Sequence, residues 1–165
     1  MESGPLKFFL DEQLGKLARW LRILGQDASY RKQIEDDELI AAARDEGRTI
    51  LTRDTRLPER AEDVKVDVLE QNYPALQLRE VVEKYRDRMK IRLLTRCPIC
   101  NVPVRPVGKA EVEDRVPPFV YKTQENFTEC PECKRVYWKA THRDRIELQL
   151  RDILGPLYEE LKERE

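Results

Sequence analysis

Seven side chains carry the chemistry for which this sequence can be read. Cys97, Cys100, Cys130 and Cys133, all the cysteines of the chain, form two Cys-x-x-Cys knuckles with 29 residues between them. Two residues between thiolates let the chain turn so that both sulfurs face one point. Two such turns make a closed tetrahedral shell for one structural zinc ion. No ligand position is left for water, so the metal would brace the chain, and its binding would be folding energy for the segment around it. Two disulfides or redox-active dithiols would use the same spacing, and a reducing compartment disfavours the disulfides.

Asp11, Asp36 and Asp54 are the second group. Asp11 directly follows the apolar run at residues 6–10, Asp36 opens a helical pattern, and Asp54 follows the apolar stretch 49–52. On the C-terminal edge of one parallel sheet, where ligands of such folds bind, the three would converge. Crowded carboxylates repel one another and are stabilised by a hard cation, Mg²⁺ or Mn²⁺. A cation held in this way activates water against a phosphodiester. Capping is the plainer role: Asp11 and Asp36 both stand where a carboxylate satisfies free helix N–H groups, and Asp37 can exchange roles with Asp36.

The elements that must position these groups follow from periodicity. Residues 6–10 read as a strand. Leu14, Leu17, Ala18, Leu21 and Leu24 then recur at helical spacing until Gly25, a natural stop. Residues 27–30 suggest a second strand, and a helix from Asp36 or Asp37 runs through Leu39, Ile40 and Ala43 to Gly47. Residues 49–52 and 64–69 read as strands, and Pro74 opens a helix with Leu76, Leu78, Val81, Val82 and Tyr85 as its apolar face. Strands alternating with helices predict βαβ units and a mostly parallel sheet covered on both sides. Between Pro98 and Pro131, six prolines fall within 34 residues, beside β-rich stretches at 119–121 and 136–138. That composition predicts a small β unit too poor in core to fold without its metal. A helix over 144–154 follows, and the charged tail after Gly155-Pro156 reads as a frayed extra turn. The expected domains are therefore 1–90, 91–155 and a tail, 156–165.

Charged residues make up 38% of the chain, yet the formal net charge is −1, so the total points to no polyanion. Its distribution says more: residues 1–90 carry 17 basic and 19 acidic side chains, and residues 91–151 carry 12 and 8. The basic excess around the cysteines fits nucleic acid or a solvated face. Lys16, Arg19 and Arg22 recur along the first helix, as phosphate contacts or as an exposed stripe. Tyr137 and Trp138 alternate beside Lys139, so that one can stack on a base while the other packs inward. His142, the single histidine, is not needed as a metal ligand. No signal peptide and no run of about 18 apolar residues is present, so a cytoplasmic protein without membrane contact is expected. No Ser/His/Asp arrangement, Gly-rich phosphate loop or Rossmann fingerprint points to another enzyme class.

The stretches Phe9-Leu10-Asp11-Glu12, Leu14-Gly15-Lys16-Leu17-Ala18-Arg19-Trp20-Leu21-Arg22, Leu24-Gly25 and Asp27 resemble the opening motif of the Mut-seven carboxy-terminal RNase family. So do Asp36-Asp37-Glu38-Leu39 and Ile50-Leu51-Thr52-Arg53-Asp54. In the cysteine half the resemblance runs through Cys97-Pro98-Ile99-Cys100-Asn101 and through Cys130-Pro131-Glu132-Cys133 to Val136-Tyr137-Trp138-Lys139, Thr141 and His142. Ala140 and Arg143 depart from the family pattern there. The resemblance implies an α/β fold, a PIN-like three-layer sandwich with a parallel sheet, plus a C-terminal zinc ribbon. It also implies a Mg- or Mn-dependent ribonuclease whose acids map onto Asp11, Asp36 rather than Asp37, and Asp54.

Residues and resemblance together give an endoribonuclease that cleaves single-stranded RNA, with contacts at Lys16, Arg19, Arg53, Trp138, Lys139 and His142. The other function class is a non-catalytic RNA- or protein-binding module of a ribonucleoprotein or ribosome-assembly complex. A toxin-like nuclease held by an antitoxin-like inhibitor is a third. A nuclease needs the three carboxylates and a divalent ion, whereas a binder needs only the basic and aromatic surface.

Overall fold

A computed structural model of the protein describes residues 4–139 and 141–163, with the side chains of Thr141 and His142 outside that description. Strands β1 (Lys7–Leu10), β2 (Asp27–Tyr30), β3 (Thr49–Thr52) and β4 (Val66–Val68) form one sheet in the order β2-β1-β3-β4. Every pairing is parallel, with Phe9 opposite Ser29 on one side and Ile50 on the other. Between the strands run α1 (Gly15–Ile23), α2 (Asp36–Glu46) and the short α3 (Leu57–Arg60), and α4 (Pro74–Lys84) follows β4.

Side chains alternate across a strand, so a strand covered on both faces must be apolar throughout, as β1 is. Phe8 and Leu10 enter a core shared with Leu17 and Leu21 of α1 and with Leu78, Val81 and Val82 of α4. Phe9 enters the opposite core, with Leu39, Ile40 and Ala43 of α2 and Leu57 of α3. Two cores on one parallel sheet make the three-layer sandwich that was expected. The chain turns where residue chemistry allows it. Gly47 closes α2 at φ 65°. Gly25, at φ +85°, passes so close to the next segment that a Cβ would lie 2.5 Å from the carbonyl oxygen of Arg92.

The second sheet is antiparallel, in the order β5 (Arg105–Val107), β6 (Phe127–Glu129), β7 (Val136–Trp138). Its small core is Val112, Val116 and Phe127. Two local expectations are corrected. Residues 119–121, read as β-rich, lie in α5 (Pro118–Thr123). Pro118 takes the first helical position, where its fixed φ is pre-organised and its missing N–H costs nothing. Residues 156–161, read as part of a charged tail, form α7 (Pro156–Leu161), with Leu157, Tyr158 and Leu161 buried. Three apolar side chains at helical spacing drive that packing, although charged residues surround them.

Helix α6 (Thr141–Leu154) and α7 complete the main core rather than the ribbon's, through Leu150, Leu154, Leu157, Tyr158 and Leu161. Leu161→Ala should therefore cost about 3 kcal/mol, the usual price of a truncated core leucine. Deleting residues 156–165 should lower the urea midpoint further. A midpoint unchanged by the deletion would mean that α7 contributes nothing to the core.

Candidate functional site

Each cysteine knuckle is built in the same way. The N–H of Cys97 donates to the carbonyl of Val102 and that of Asn101 to the carbonyl of Cys97, both at 2.9 Å. In the second knuckle Cys130 donates to Arg135 at 2.9 Å and Lys134 to Cys130 at 3.0 Å. The amides of Cys100 and Cys133 point at the sulfurs of Cys97 and Cys130, each at 3.5 Å. Asn101 and Lys134, each following a second cysteine, take left-handed φ values of 61° and 64°. These turns bring the four sulfurs within 4.8 Å of one another. A tetrahedral shell with Zn–S bonds of about 2.3 Å needs sulfurs roughly 3.8 Å apart, and Cys97 and Cys133 stand at 3.9 Å.

Among the described residues, this is the one group of three or more ligand side chains gathered closely enough to hold an ion. The thiols are unequal. The backbone N–H of Arg135 draws Cys133 down to about 6, whereas burial pushes Cys100 up to about 12. A cation among them makes thiolates of all four. The phenol of Tyr137 lies 3.1 Å from the Cys97 sulfur, to which it would donate once that sulfur is a thiolate; burial, then that neighbour, raise the tyrosine's own pKa.

The first knuckle also covers the open edge of β2. The Ala28 N–H donates to Asn101 Oδ1 at 2.9 Å, and Arg22 Nε donates to the Ala28 carbonyl at 2.8 Å. Arg22 Nη1 reaches the carbonyls of Pro98 and Ile99, both at 3.1 Å. Asp27 Oδ1 accepts from Arg48 at 2.6 Å and from Asn101 Nδ2 at 2.8 Å. Burial alone would raise the Asp27 pKa, but those two donors outweigh it and the carboxyl is held below its ordinary value. Arg22, read either as a phosphate contact or as part of an exposed stripe, is instead buried and donates to backbone carbonyls. Neither Arg22 nor Asn101 was legible as a clasp from spacing alone.

On the C-terminal edge of the sheet, Asp11 Oδ2 accepts from the Thr52 hydroxyl at 2.8 Å, and the same oxygen of Thr52 accepts from the Asp54 N–H at 3.0 Å. Asp11 Oδ1 takes the Glu12 N–H at 2.7 Å, and Asp54 Oδ1 takes the Arg56 N–H at 2.9 Å. A buried threonine therefore links the Asp11 carboxylate to the backbone of Asp54. Asp36, in the first turn of α2, accepts instead from Arg60 Nη1 at 2.8 Å, while Asp37 takes Arg60 Nη2 at 2.6 Å. Tyr30 donates to the carbonyl of Glu12 at 2.6 Å, beside Asp11. A Cβ on Gly15 would lie 2.9 Å from that hydroxyl, so a glycine at the start of α1 was the available signal.

Arg53 fastens the loop after β4, donating to the carbonyls of Leu69, Glu70 and Gln71 at 3.3, 2.6 and 2.9 Å and to Asn72 Oδ1. Arg19 and Trp138 line one cavity, and Lys139 joins Trp138 in a neighbouring one. Lys16 is exposed on α1, apart from both. The His142 side chain and Ala140 lie outside the described residues.

A parallel α/β sandwich joined to a four-cysteine ribbon is the class of protein these features define. The family model described as Mut7-C RNAse domain matches residues 6–150, and the chain belongs to that family. No curated protein and no solved structure matches it. Among the described residues, no helix is long and apolar enough to cross a membrane.

The depressed pKa of Asp27 makes the edge clasp sensitive to acid. Its contribution is complete above the unfolded value of about 3.9 and is lost as pH falls through the lower folded value. Asp27→Asn should therefore lower stability at neutral pH and flatten the loss of stability between about pH 5 and pH 2, read by urea titration. An acid limb identical to that of the unaltered protein would show that Asp27 does not tie the knuckle to the sheet.

Proposed function

We propose that this member of an RNase family is a divalent-metal-dependent endoribonuclease acting on single-stranded RNA. The observation that carries the reading is the pair Asp11 and Asp54, held by Thr52 on the edge of the sheet where parallel α/β folds bind their ligands. Asp36 is the third acid in this reading. Arg60 now neutralises it and is exposed enough to yield to an ion of higher charge. The residues present suit Mg²⁺ or Mn²⁺, which take carboxylate oxygens. When bound, such an ion supplies Lewis acidity and lowers the pKa of water at the scissile phosphate. The chain's own part is to fix the carboxylates. Thr52 binds the Asp11 carboxylate and the backbone N–H of Asp54, and Arg53 holds the neighbouring loop along the same edge. The four thiolates hold one structural zinc, and purified protein should contain about one equivalent of it.

RNA meets this centre through Lys16, Arg19, Trp138, Lys139 and His142 in the same reading, with Arg53 bracing the loop. The second reading, an RNA- or protein-binding module, is favoured by one feature: Asp36 and Asp37 are already satisfied by Arg60. Cleavage of a mixed-sequence single-stranded RNA with Mn²⁺ separates the two. Asp11→Asn and Asp54→Asn should each lower the rate about a hundredfold or more, as should Asp36→Asn, with the fold retained in each. Equal rates in all four proteins would sink the nuclease reading. No cleavage by any of them, with RNA still bound, would support the binding module.

A further inference from the structure

Two cavities meet at the seam between the sandwich and the ribbon, one of about 200 Å³ and the other of about 460 Å³. Leu94, Tyr137 and Trp138 line both of them. Leu94 is held there at φ 57°, a conformation that bulky side chains avoid. Its N–H donates to the carbonyl of Ile23 at 3.0 Å, fixing the residue against the end of α1. Strain of this kind persists only where the surroundings over-determine it, and it clusters at functional sites.

The charged side chains that line the two cavities are Arg19, Lys139 and Arg143, the last of which pairs with Glu147 at 3.6 Å. Neither cavity is lined by an aspartate or glutamate among the described residues. Arg19 stands at the smaller cavity and Lys139 at the larger; both are exposed, and neither has an ion-pair partner among the described residues. The smaller cavity lies below the roughly 300 Å³ of ordinary small-molecule pockets, so it suits a single flat ring.

We propose that this seam binds one unpaired nucleobase of an RNA strand, stacked on Trp138, with the flanking phosphates on Arg19 and Lys139. The inference rests on RNA as the ligand of the proposed function and does not depend on cleavage. An aromatic platform beside unpaired cations is how single strands are held without sequence preference. A base inside a duplex cannot offer its face to such a site. An apolar peptide segment would fill the cavities but leave both cations unneutralised, so RNA is the better fit.

The test is the affinity of fluorescently labelled hexauridylate and hexaadenylate RNA, in the Asp54→Asn background without added divalent metal. Trp138→Ala should weaken binding about ten- to a hundredfold, and Trp138→Phe should recover most of it. Arg19→Gln should weaken binding and reduce the salt slope by about 0.7. Trp138 also packs near Phe127, so its loss could loosen the ribbon; Arg19 lies on an exposed helix face and keeps the test independent of folding. Affinity unchanged in Arg19→Gln, equal binding of a blunt RNA duplex, or preference for an acidic peptide over both oligonucleotides would each overturn the proposal. Cleavage by the unaltered protein with affinity indifferent to Trp138 and Arg19 would end the seam and leave the nuclease. Trp138-dependent binding without any cleavage would do the reverse.

Discussion

The open edge of β2 is the constraint on which the rest of the structure depends. An edge strand leaves unpaired backbone groups that must be covered or kept from pairing elsewhere. Here the first cysteine knuckle covers them, with Asn101 accepting from Ala28 and Arg22 bridging Ala28 to Pro98 and Ile99. The knuckle's left-handed residue is thus also the residue that caps the sheet. Arginine suits this place because its planar fork reaches several carbonyls at once, which a lysine cannot reproduce. A buried guanidinium is costly unless its donors are satisfied. The cysteine centre and the sandwich are therefore linked by a contact that neither can lose cheaply.

From that edge the order passes to the acidic rim through neighbouring strands. β2 ends at Tyr30, whose hydroxyl fixes the turn that contains Glu12. Beside it the N–H of Asp11 donates to the carbonyl of Leu51 at 3.0 Å, carrying the β1–β3 ladder one residue past the strand. Asp11 is thereby held by backbone as well as by Thr52. Asp54 depends on the same threonine, and so the two acids share one rigid reference. Asp36 stands on a separate helix and answers to Arg60, which makes it the member of the trio whose position a bound ion would have to alter.

Where local pattern and packing demanded the same thing, the sequence was legible. β1 and β3 were readable because an apolar run stops at a following carboxylate, and α2 because its apolar periodicity stops at Gly47. The paired knuckles were readable because their spacing is itself geometry. Residues 119–121 misled because their β-prone side chains face a proline-fixed helical start, and the backbone constraint prevailed. The last helix was hidden because Leu157, Tyr158 and Leu161 are only three apolar residues in a charged segment, and a core formed far away in sequence decides their fate. Arg22 and Arg53 illustrate a further limit. An arginine at helical spacing, or beside a catalytic-looking acid, reads as a phosphate contact, yet both are consumed by backbone carbonyls that only tertiary structure brings near.

Removing those two arginines from the RNA-facing surface changes where affinity can reside. A rim of carboxylates repels a polyanion until a cation is present, so it cannot supply binding energy by itself. The overall charge of −1 supplies no general attraction either. In the proposed reading affinity comes from the exposed Arg19 and Lys139 beside Trp138, at cavities whose lining holds no carboxylate among the described residues. In the proposed function chemistry and affinity are separated on the surface, on elements joined by the Arg22 clasp. Energy gained by stacking a base at a distance can be used to hold a phosphodiester against the rim only if the two places keep a fixed spacing. A metal held by the four cysteines, which are tied directly to the edge of the parallel sheet, would keep that spacing fixed.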